Sequence, residues 1–340
     1  MNRVYAENVI EKIISAERSA AEIMMHAHNI IAESKTGRRD IVTEYDKRVQ
    51  DYLMQVLSET VPEARFFCEE QKEHDDLHAR HLFIIDPIDG TMNFARGFNH
   101  SCISVAYMSA GELRAAAVYN PYVDEMFTAV KGDGAYLNGR RLHVSAAPLS
   151  DSVVCYGTAP YSMELADETF RLARIAFDAG LDLRREGSAE LDLCSVAAGR
   201  AGLYFEMQVS LWDYAAGALL VREAGGVCQD IRGAELPFDG SKPTILAGGS
   251  HAVMDFLKLT EGGKLFLFSR SAALRYCSRP NLIPQIHGSR PWRPTPSRAP
   301  SLPQGGRQAA AAGSAGASPP RRAAYISRCC SPPRRTCAPA

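Results

Sequence analysis

The chain has 340 residues, 46% of them hydrophobic, which is enough to bury one large core or two smaller ones. The formal net charge of −1 hides an uneven distribution, because residues 1–260 carry 38 of the 39 acidic side chains but only 25 of the 38 Lys and Arg. Such an acidic body argues against nucleic-acid partners, which bind through basic patches, and suits a protein that holds cations with carboxylates.

The first half of the body predicts two helices followed by a sheet. Apolar residues recur at helical spacing over residues 3–33 and again over 43–58. The apolar run 82–86 ends in an acid and predicts a buried strand. Residues 101–130 contain apolar stretches separated by Ala110-Gly111 and Asn120-Pro121, a pattern typical of strands joined by turns.

From about Asp151 onward, predicted strands and helices alternate. Strands are predicted at 152–157, 202–207 and 245–250, and helices at 163–179, 188–199 and 212–226. Alternation of this kind in both halves predicts a layered α/β architecture.

The composition changes after Gly262. Residues 263–340 contain 12 of the 19 prolines and almost no acids, and they have too little apolar surface to offset the entropy of ordering. We therefore predict one domain over residues 1–262 and a disordered basic tail over 263–340. The tail is either a basic interaction arm or a non-native extension, such as a frameshifted or read-through end. The abrupt loss of acids favours the extension.

The sequence also bears on location and redox state. The N-terminal segment mixes charged with apolar residues and lacks the apolar core of a signal peptide. No stretch reaches the roughly 18 apolar residues of a membrane span. The five cysteines between residues 68 and 228 are widely spaced and form no C-x-x-C pair, which predicts reduced thiols. We expect a cytoplasmic protein without a membrane partner.

The most informative segment is the end of the strand predicted at 82–86. Asp86 and Asp89 lie so close that they would repel each other unless a cation lay between them. Gly90 and Thr91 follow and predict a helical turn, whose backbone N–H groups and hydroxyl can bind a phosphate. An isolated D-x-x-D-G-T pattern is equally compatible with a capped turn carrying surface acids.

Three further segments add polar groups, and each has an ordinary alternative. Glu69-Glu70 follows an apolar pair and could be a solvated strand edge. Asp213 could be only a favourable charge at a helix start, worth roughly 0.3–1 kcal/mol. The segment from Lys35 to Asp46 could be a polar connector between the first two helices, with Thr43 as the N-cap.

Together these segments resemble the signature motifs of the inositol monophosphatase family. The motifs, in the family's order, are Lys35–Asp46, Phe67–Glu70, Asp86–Thr91, and Trp212–Gly217 with Glu223–Gly226; Gly187–Ala189 and Tyr204–Glu206 match its substrate-side segments. The resemblance extends from about residue 3 to residue 260. It implies an αβαβα sandwich of the inositol monophosphatase and fructose-1,6-bisphosphatase type, a homodimer, and sensitivity to lithium.

The resemblance further implies Mg²⁺-dependent hydrolysis of a small polyol phosphate, most typically myo-inositol monophosphate, by a metal-activated water. Glu69, Asp86 and the Ile88 carbonyl would hold one Mg²⁺, while Asp86, Asp89 and Asp213 would hold a second; a third, weaker ion would share Glu69. The implied catalytic set is Thr91, Asp46 and Glu69. The implied substrate-binding set is Asp89, Gly90, Thr91, Gly187, Ser188, Ala189, Glu206 and Asp213.

Two departures from the family pattern are visible. Cys68 stands where the family usually has glycine, so a positive φ there would be strained. Glu190 often has an alanine counterpart, which bears on substrate contacts. Histidinol phosphate, fructose 1,6-bisphosphate and 3′-phosphoadenosine phosphates remain alternative substrates, although residues 89–94 look more like the inositol form of the motif than the nucleotide form. A non-catalytic binding protein with the same fold is the remaining alternative.

Overall fold

Residues 3–264 are the part of the chain that the computed structural model describes. The helices are α1 (Arg3–Met25), α2 (Glu44–Thr60), α3 (Thr91–Arg96), α4 (Ala166–Ala179), α5 (Ala189–Ala197), α6 (Ala215–Glu223) and α7 (Ser250–Lys264). The strands are β1 (Ala32–Gly37), β2 (Asp40–Thr43), β3 (Arg65–Cys68), β4 (His81–Asp89), β5 (Cys102–Ser109), β6 (Glu112–Asn120), β7 (Glu125–Val130), β8 (Gly134–Leu137), β9 (Arg140–Arg141), β10 (Val153–Tyr156), β11 (Asp182–Arg184), β12 (Leu203–Glu206), β13 (Val227–Gln229) and β14 (Ile245–Gly248). Short 3₁₀ helices lie at Leu149–Asp151, Met163–Leu165 and Leu211–Asp213.

The strands form two large sheets and one hairpin. The first sheet has the order β3-β4-β5-β6-β7-β8-β9, in which β3 and β4 are parallel and the other neighbours antiparallel. The second has the order β11-β10-β12-β14-β13, in which β10 runs parallel to both β11 and β12. Strands β1 and β2 pair separately as an antiparallel hairpin.

Five layers result from how these elements pack. Helices α1 and α2 cover one face of the first sheet, α5 and α6 lie between the two sheets, and α4 and α7 cover the outer face of the second sheet. Strands β4 and β5 are buried along their whole length, because helices cover both faces of the first sheet. The predicted αβαβα sandwich is therefore confirmed.

The predicted helices agree with the structure best where a local cap fixes their start. Helix α2 begins after Thr43, whose hydroxyl accepts from the Asp46 backbone N–H while the Asp46 carboxylate accepts from the Thr43 backbone N–H. The helix predicted over 3–33 is wrong at its end, since α1 stops at Met25 and Asn29 has a φ of 52°. The stretch after it, interpreted from the sequence as a polar connector, is the β1–β2 hairpin.

Other predictions concern membranes, thiols and the tail. Among the described helices, none combines the length and apolar character needed to cross a membrane. All five cysteines of the body are buried and unbridged, as predicted. The predicted tail lies outside the described residues except for its first two, which end α7. Its disorder and the domain boundary at residue 262 remain predictions.

One buried acid in α1 has no evident partner. Glu17 is completely buried, and neither of its carboxyl oxygens has a hydrogen-bond partner. Burial raises the pKa of Glu17 well above its ordinary value, and the charge of Glu190 raises it further. The Val105 backbone partly opposes this shift, although it makes no hydrogen bond of normal geometry with the carboxyl group. Glu17 therefore destabilises the fold increasingly as it is forced to ionise.

We predict that Glu17→Leu raises the free energy of unfolding by roughly 1–3 kcal/mol at pH 8, the cost of burying an unpaired polar group. Because the folded-state pKa is raised, the unaltered chain loses stability as the pH rises above about 4.5, so the gain should be smaller at pH 5. Urea unfolding at both pH values measures it. Glu11→Leu, an exposed position on the same helix, is the control. Equal gains in both variants would contradict the interpretation.

Candidate active site

A cavity of about 210 Å³ opens between the ends of several strands and helices. Every predicted site residue except Asp46 lines it, namely Glu69, Asp86, Ile88, Asp89, Gly90, Thr91, Gly187, Ser188, Ala189, Glu206 and Asp213. Asp46 is fully buried and hydrogen-bonded to Thr91 behind the cavity wall. The structure thus brings together residues that lie up to 167 positions apart in the sequence.

The parallel pairing of β3 and β4 places two carboxylates side by side. Parallel strands end at the same edge of a sheet, so Glu69, directly after β3, lies next to Asp86 near the end of β4. The Glu69 backbone N–H donates to the Ile85 carbonyl at 3.2 Å. Burial raises the pKa of Asp86 well above its ordinary range, and Glu69, Asp89 and Asp213 raise it further. The site therefore concentrates negative charge away from water.

A bulge within β4 turns a second carboxylate into the same cavity. The pairing of β4 with β5 shifts register between Asp86 and Asp89, where Pro87 has no N–H to donate to a neighbouring strand. The Ile88 backbone N–H instead donates to Asp86 Oδ1 at 3.1 Å. Asp86, the Ile88 carbonyl and Asp89 consequently belong to one short irregular segment.

The N-terminus of α5 holds Asp89 in place. The Ser188 hydroxyl donates to Asp89 Oδ2 at 2.6 Å, and the Glu190 backbone N–H donates to the same oxygen at 2.7 Å. The Ser188 Oγ also accepts from the Leu191 backbone N–H and caps the helix. Burial raises the pKa of Asp89 to about 6, against the effect of these hydrogen bonds.

Asp213 enters the cavity from the segment that precedes α6, one of the two helices between the sheets. It ends a 3₁₀ helix just before α6, and its Oδ2 accepts from the Ser210 backbone N–H at 2.6 Å. Burial raises the pKa of Asp213 well above its ordinary value, and the charges of Glu69 and Asp89 add to that effect. Four carboxylates from three separate segments therefore repel one another across one cavity.

A hydrogen-bonded chain leads from the cavity into α2. The Thr91 hydroxyl lies 3.1 Å from both Asp46 Oδ1 and the Ile88 carbonyl oxygen, and it can donate to either. The other Asp46 oxygen accepts from the Thr43 backbone N–H at 2.8 Å. Burial raises the pKa of Asp46 to about 6, although hydrogen bonds from Thr43 oppose the shift. Asp46 is thus a buried carboxylate that can accept a proton near neutral pH.

Glu206 lines the cavity at the end of β12. Its Oε2 accepts from the Tyr204 hydroxyl at 2.7 Å, and its Oε1 accepts from the Ala159 backbone N–H at 2.7 Å. A Cβ at Gly157 would lie 1.8 Å from Glu206 Oε2, so this position has no room for a side chain. The carboxylate is fixed in place and keeps lone pairs for a ligand's hydroxyl groups.

Lys35 supplies a positive charge beside the carboxylates. Its ammonium group donates to Glu69 Oε1 at 2.8 Å and also to Glu70. Burial would lower the pKa of Lys35, but the charges and hydrogen bonds of Glu69 and Glu70 outweigh burial and raise it. Burial and the charge of Glu69 raise the pKa of Glu70 to about 7. Lys35 belongs to the hairpin that the sequence did not predict.

The two departures from the family pattern have different outcomes. Cys68 is an ordinary buried strand residue without a positive φ, and its N–H donates to Gln71 Oε1, so the expected strain is absent. Glu190 does not line the cavity. Its side chain accepts from the backbone N–H groups of Ala216 at 3.2 Å and Gly217 at 2.6 Å. It joins the starts of α5 and α6, close to Asp89.

Sequence reasoning missed every other polar side chain that lines the cavity, five in all. They are Arg39, Tyr161, Arg185, Asp192 and Gln208. Asp192 could have been found, because it follows Ala189 by one helical turn and shares its face of α5. The others lie on loops or on the hairpin, where no periodic pattern indicates which way a side chain points.

The donor set fits a hard divalent cation. Carboxylate and carbonyl oxygens from Glu69, Asp86, Ile88, Asp89 and Asp213 surround one cavity, where burial and, secondarily, mutual repulsion raise the pKa of Asp86 and Asp213. Within the described residues, no group of three or more His, Cys, Asp or Glu side chains is arranged so that it could hold a metal ion as it stands. Mg²⁺ keeps several waters and takes few carboxylates per ion, so an open arrangement of this kind suits it.

Comparisons with known proteins agree on one family. The model for the inositol monophosphatase family matches residues 6–261. An inositol-1-monophosphatase from Rhizobium meliloti (strain 1021) is 37% identical over 252 residues, which are 72% of this chain and 91% of the relative. A protein named Nus factor SuhB from Xylella fastidiosa is 34% identical over 268 residues, 75% of this chain and 96% of the relative.

A solved structure extends the similarity to three dimensions. The extragenic suppressor protein suhB from Bartonella henselae superposes with a TM-score of 0.69 at 33% identity, covering 74% of this chain and 97% of that one. The match spans nearly the whole of that protein, so the similarity concerns the complete sandwich and not one motif.

We predict that Ser188→Ala lowers the free energy of unfolding by about 2 kcal/mol, because it removes a helix cap and a buried hydrogen bond to the Asp89 carboxylate. Ser195→Ala, in the same helix but away from its capped end, should change it by less than about 0.5 kcal/mol. Chemical denaturation of both variants provides the measurement. If Ser188→Ala were as mild as the control, Ser188 would not fix Asp89.

Proposed function

The chain belongs to the inositol monophosphatase family, and on that premise we propose that it hydrolyses the phosphate monoester of a small polyol, with myo-inositol monophosphate as the substrate. The family carries phosphatase activity, whereas the substrate within it is our proposal. Support comes from residues 89–94, which resemble the inositol form of the motif, and from the position of Glu206 on the same cavity.

One observation carries the proposal. Four carboxylates meet in a cavity that also contains the start of α3 at Gly90-Thr91: Asp86 and Asp89, which are buried, and Glu69 and Asp213, which are half-buried. The carboxylates suit cations, and backbone N–H groups beside them suit the oxygens of a phosphate. A cavity that combines both is adapted to a phosphate bound next to metal ions.

We propose Mg²⁺ as the cofactor. Glu69, Asp86 and the Ile88 carbonyl would hold one ion, and Asp86, Asp89 and Asp213 a second, with Glu69 also contributing to a third, weaker one. When bound, Mg²⁺ would supply Lewis-acid chemistry: it would make a water more acidic and offset negative charge on the leaving oxygen. Ser188, Ser210 and the Glu190 backbone N–H orient the aspartates that would bind the ions.

The proton of the attacking water has a path through the chain's own residues. Thr91 Oγ1 would accept that proton and pass its own to Asp46 Oδ1, 3.1 Å away. The pKa of Asp46, raised by burial to about 6, allows the carboxylate to take up a proton at neutral pH. Two hydrogen bonds from Thr43 keep Asp46 in position for this step.

The remaining groups bind and release the substrate. The backbone N–H groups of Gly90 and Thr91 would donate to phosphate oxygens, while Glu206 would accept from polyol hydroxyls beside the Gly187–Ala189 backbone. Water adds to phosphorus, the ester P–O bond breaks, and the leaving polyol oxygen takes up a proton. The products are the free polyol and inorganic phosphate. No covalent phosphoenzyme is required.

Other roles receive less support from the described residues. Histidinol phosphate, fructose 1,6-bisphosphate and 3′-phosphoadenosine phosphates would use the same mechanism. The Nus factor name of some relatives suggests a second role, but no feature of the described residues favours it here. The acidic body supports our prediction that nucleic acid is not a partner. A non-catalytic protein would have no need for the buried carboxylates that the cavity retains.

We also propose a cytoplasmic homodimer. Large apolar side chains remain on the outside of the described part, including Phe98, Phe170 and Phe177, with exposed fractions of 71%, 57% and 59%. Exposed apolar groups of this size are typical of protein–protein interfaces. The free and buried cysteines suit a reducing compartment.

We predict that purified protein releases phosphate from inositol 1-phosphate only when Mg²⁺ is added, and that Asp89→Asn lowers kcat/KM by at least about 100-fold through loss of a metal ligand. Asp51→Asn, an exposed position on α2, should retain the activity of the unaltered chain. Activity on another phosphomonoester alone would change the substrate and keep the mechanism. A folded, metal-binding protein inactive on every phosphomonoester would refute the proposed function.

Stability without metal should fall as the pH rises. The folded-state pKa values of Asp46 and Asp89 are raised to about 6 and that of Glu70 to about 7, so their contribution is complete below about pH 4 and is lost through pH 6–7. Mg²⁺ binds the deprotonated carboxylates and should restore more stability at pH 8 than at pH 5. Thermal unfolding with chelator or Mg²⁺ at matched ionic strength tests this. A metal-free midpoint that rises from pH 5 to pH 8 would contradict it.

A further inference from the structure

Helix α6 is not capped by the residue that precedes it. The Ala218 N–H donates to the Tyr214 carbonyl at 2.8 Å and begins the bonding pattern of the helix, so the N–H groups before Ala218 need partners from elsewhere. Tyr214, the N-cap residue, makes no side-chain capping bond within the described part of the chain, because its hydroxyl donates to the Pro237 carbonyl. Asp213 lies directly before this start, so whatever fixes the start of α6 also bears on Asp213.

Glu190, at the start of α5, supplies the missing cap from another helix. Its Oε1 accepts from the Ala216 N–H at 3.2 Å, and its Oε2 accepts from the Gly217 N–H at 2.6 Å. The approach is close, since a Cβ at Gly217 would lie 2.7 Å from Glu190 Oε2. Glu190 is fully buried, and a carboxyl group at a helix N-terminus is also favoured by the helix dipole. Its side chain therefore fixes the first turn of α6.

The main chain of the same residue holds a second carboxylate of the cavity. The Glu190 N–H donates to Asp89 Oδ2 at 2.7 Å, beside the hydrogen bond from Ser188. Burial raises the pKa of Glu190 and the charge of Asp89 raises it further, while hydrogen bonds from Ser104 and from the first turn of α6 oppose the shift. These donors offset the cost of placing a second acid next to Asp89. One residue thus contacts Asp89 through its backbone and the helix after Asp213 through its side chain.

We infer that Glu190 is a positioning residue for the second Mg²⁺ of the site, because it sets the distance between Asp89 and Asp213, two of that ion's three ligands. The inference rests on the proposed function and specifies which of its ions depends on Glu190. The first ion takes its ligands from the ends of β3 and β4 alone, so it should not depend on Glu190. The family often has alanine at this position, so the contact is a feature of this chain and not of the family's common site.

Titration of the metal-free protein with Mn²⁺, used as a stand-in for Mg²⁺, tests the inference without substrate. We expect Glu190→Ala to raise the dissociation constant of one ion by about 10- to 100-fold, the usual effect of losing a group that orients a metal ligand. Asp213→Asn should weaken the same ion and so identifies it as the second. The affinity of the first ion should stay unchanged in Glu190→Ala. Isothermal titration calorimetry measures both ions.

Two further variants separate positioning from a general loss of stability. Glu190→Gln keeps the size of the side chain and one acceptor oxygen, so it should weaken the second ion less than Glu190→Ala does. Val196→Ala removes buried methyl groups from the last turn of α5, away from the cavity lining. It should lower the stability of the protein and leave the affinity of both ions unchanged.

Hydrogen exchange in the metal-free protein tests the cap itself. The amides of Ala216 and Gly217 should exchange about 10-fold faster or more in Glu190→Ala, because they lose a hydrogen bond to a carboxyl group. Val196→Ala should not speed exchange at these two amides more than elsewhere in α6. Equal exchange rates in Glu190→Ala and the unaltered chain would show that Glu190 does not hold the helix start, and the inference would be wrong.

The metal titration gives the remaining outcomes. Unchanged affinity for both ions in Glu190→Ala overturns the inference, as does an equal loss of the second ion in Val196→Ala. If Glu190→Ala does not fold, Glu190→Gln decides, since unchanged binding of the second ion there has the same meaning. Metal binding without hydrolysis of any phosphomonoester would refute the proposed function and leave the positioning role standing, whereas an unaltered chain that binds no Mn²⁺ would refute both. A selective loss of the second ion, partly recovered in Glu190→Gln, supports the inference.

Discussion

The repulsion among the buried carboxylates is the constraint on which the rest of this structure depends. Glu69, Asp86, Asp89 and Asp213 are held in one cavity, where burial and mutual repulsion raise the pKa of the aspartates. A folded chain tolerates such a group only if other interactions fix it and a cation compensates its charge. Lys35 provides part of that compensation in the protein itself.

The five-layer fold supplies the rigidity that this group requires. Two carboxylates come from the first sheet, where the parallel β3–β4 pair and the bulge at Pro87 bring them to one edge. The other elements approach from the intersheet layer. The start of α5 provides the donors to Asp89, and α6 begins shortly after Asp213. Glu190 joins the starts of these two helices, so Asp89 and Asp213 are positioned relative to each other by a single buried side chain.

The features that the sequence predicted correctly are the ones that depend on interactions between residues close together in the chain. The cap at Thr43, the strand ending near Asp86 and the helix starting at Ser188 each depend on neighbours within a few positions. The β1–β2 hairpin escaped prediction because β1 is largely exposed and shows no alternation of apolar and polar residues. The family resemblance supplied the site residues, whereas the role of Glu190 and the position of Arg185 depend on tertiary contacts that no spacing reveals.

The β1–β2 hairpin, which the sequence did not predict, carries positively charged side chains to two parts of the site. Lys35, within β1, pairs with Glu69 and Glu70 in the interior, while Arg39 at the hairpin's tip reaches the opposite lip of the cavity. The same short element therefore contributes positive charge to the acidic interior and to the mouth. Because the hairpin is a separate two-stranded unit outside both large sheets, its tip at Arg39 can change without disturbing the strands that carry the carboxylates. Substrate preference can thus vary around a constant carboxylate-lined interior, which is a physical reason for one scaffold to accept different phosphate esters.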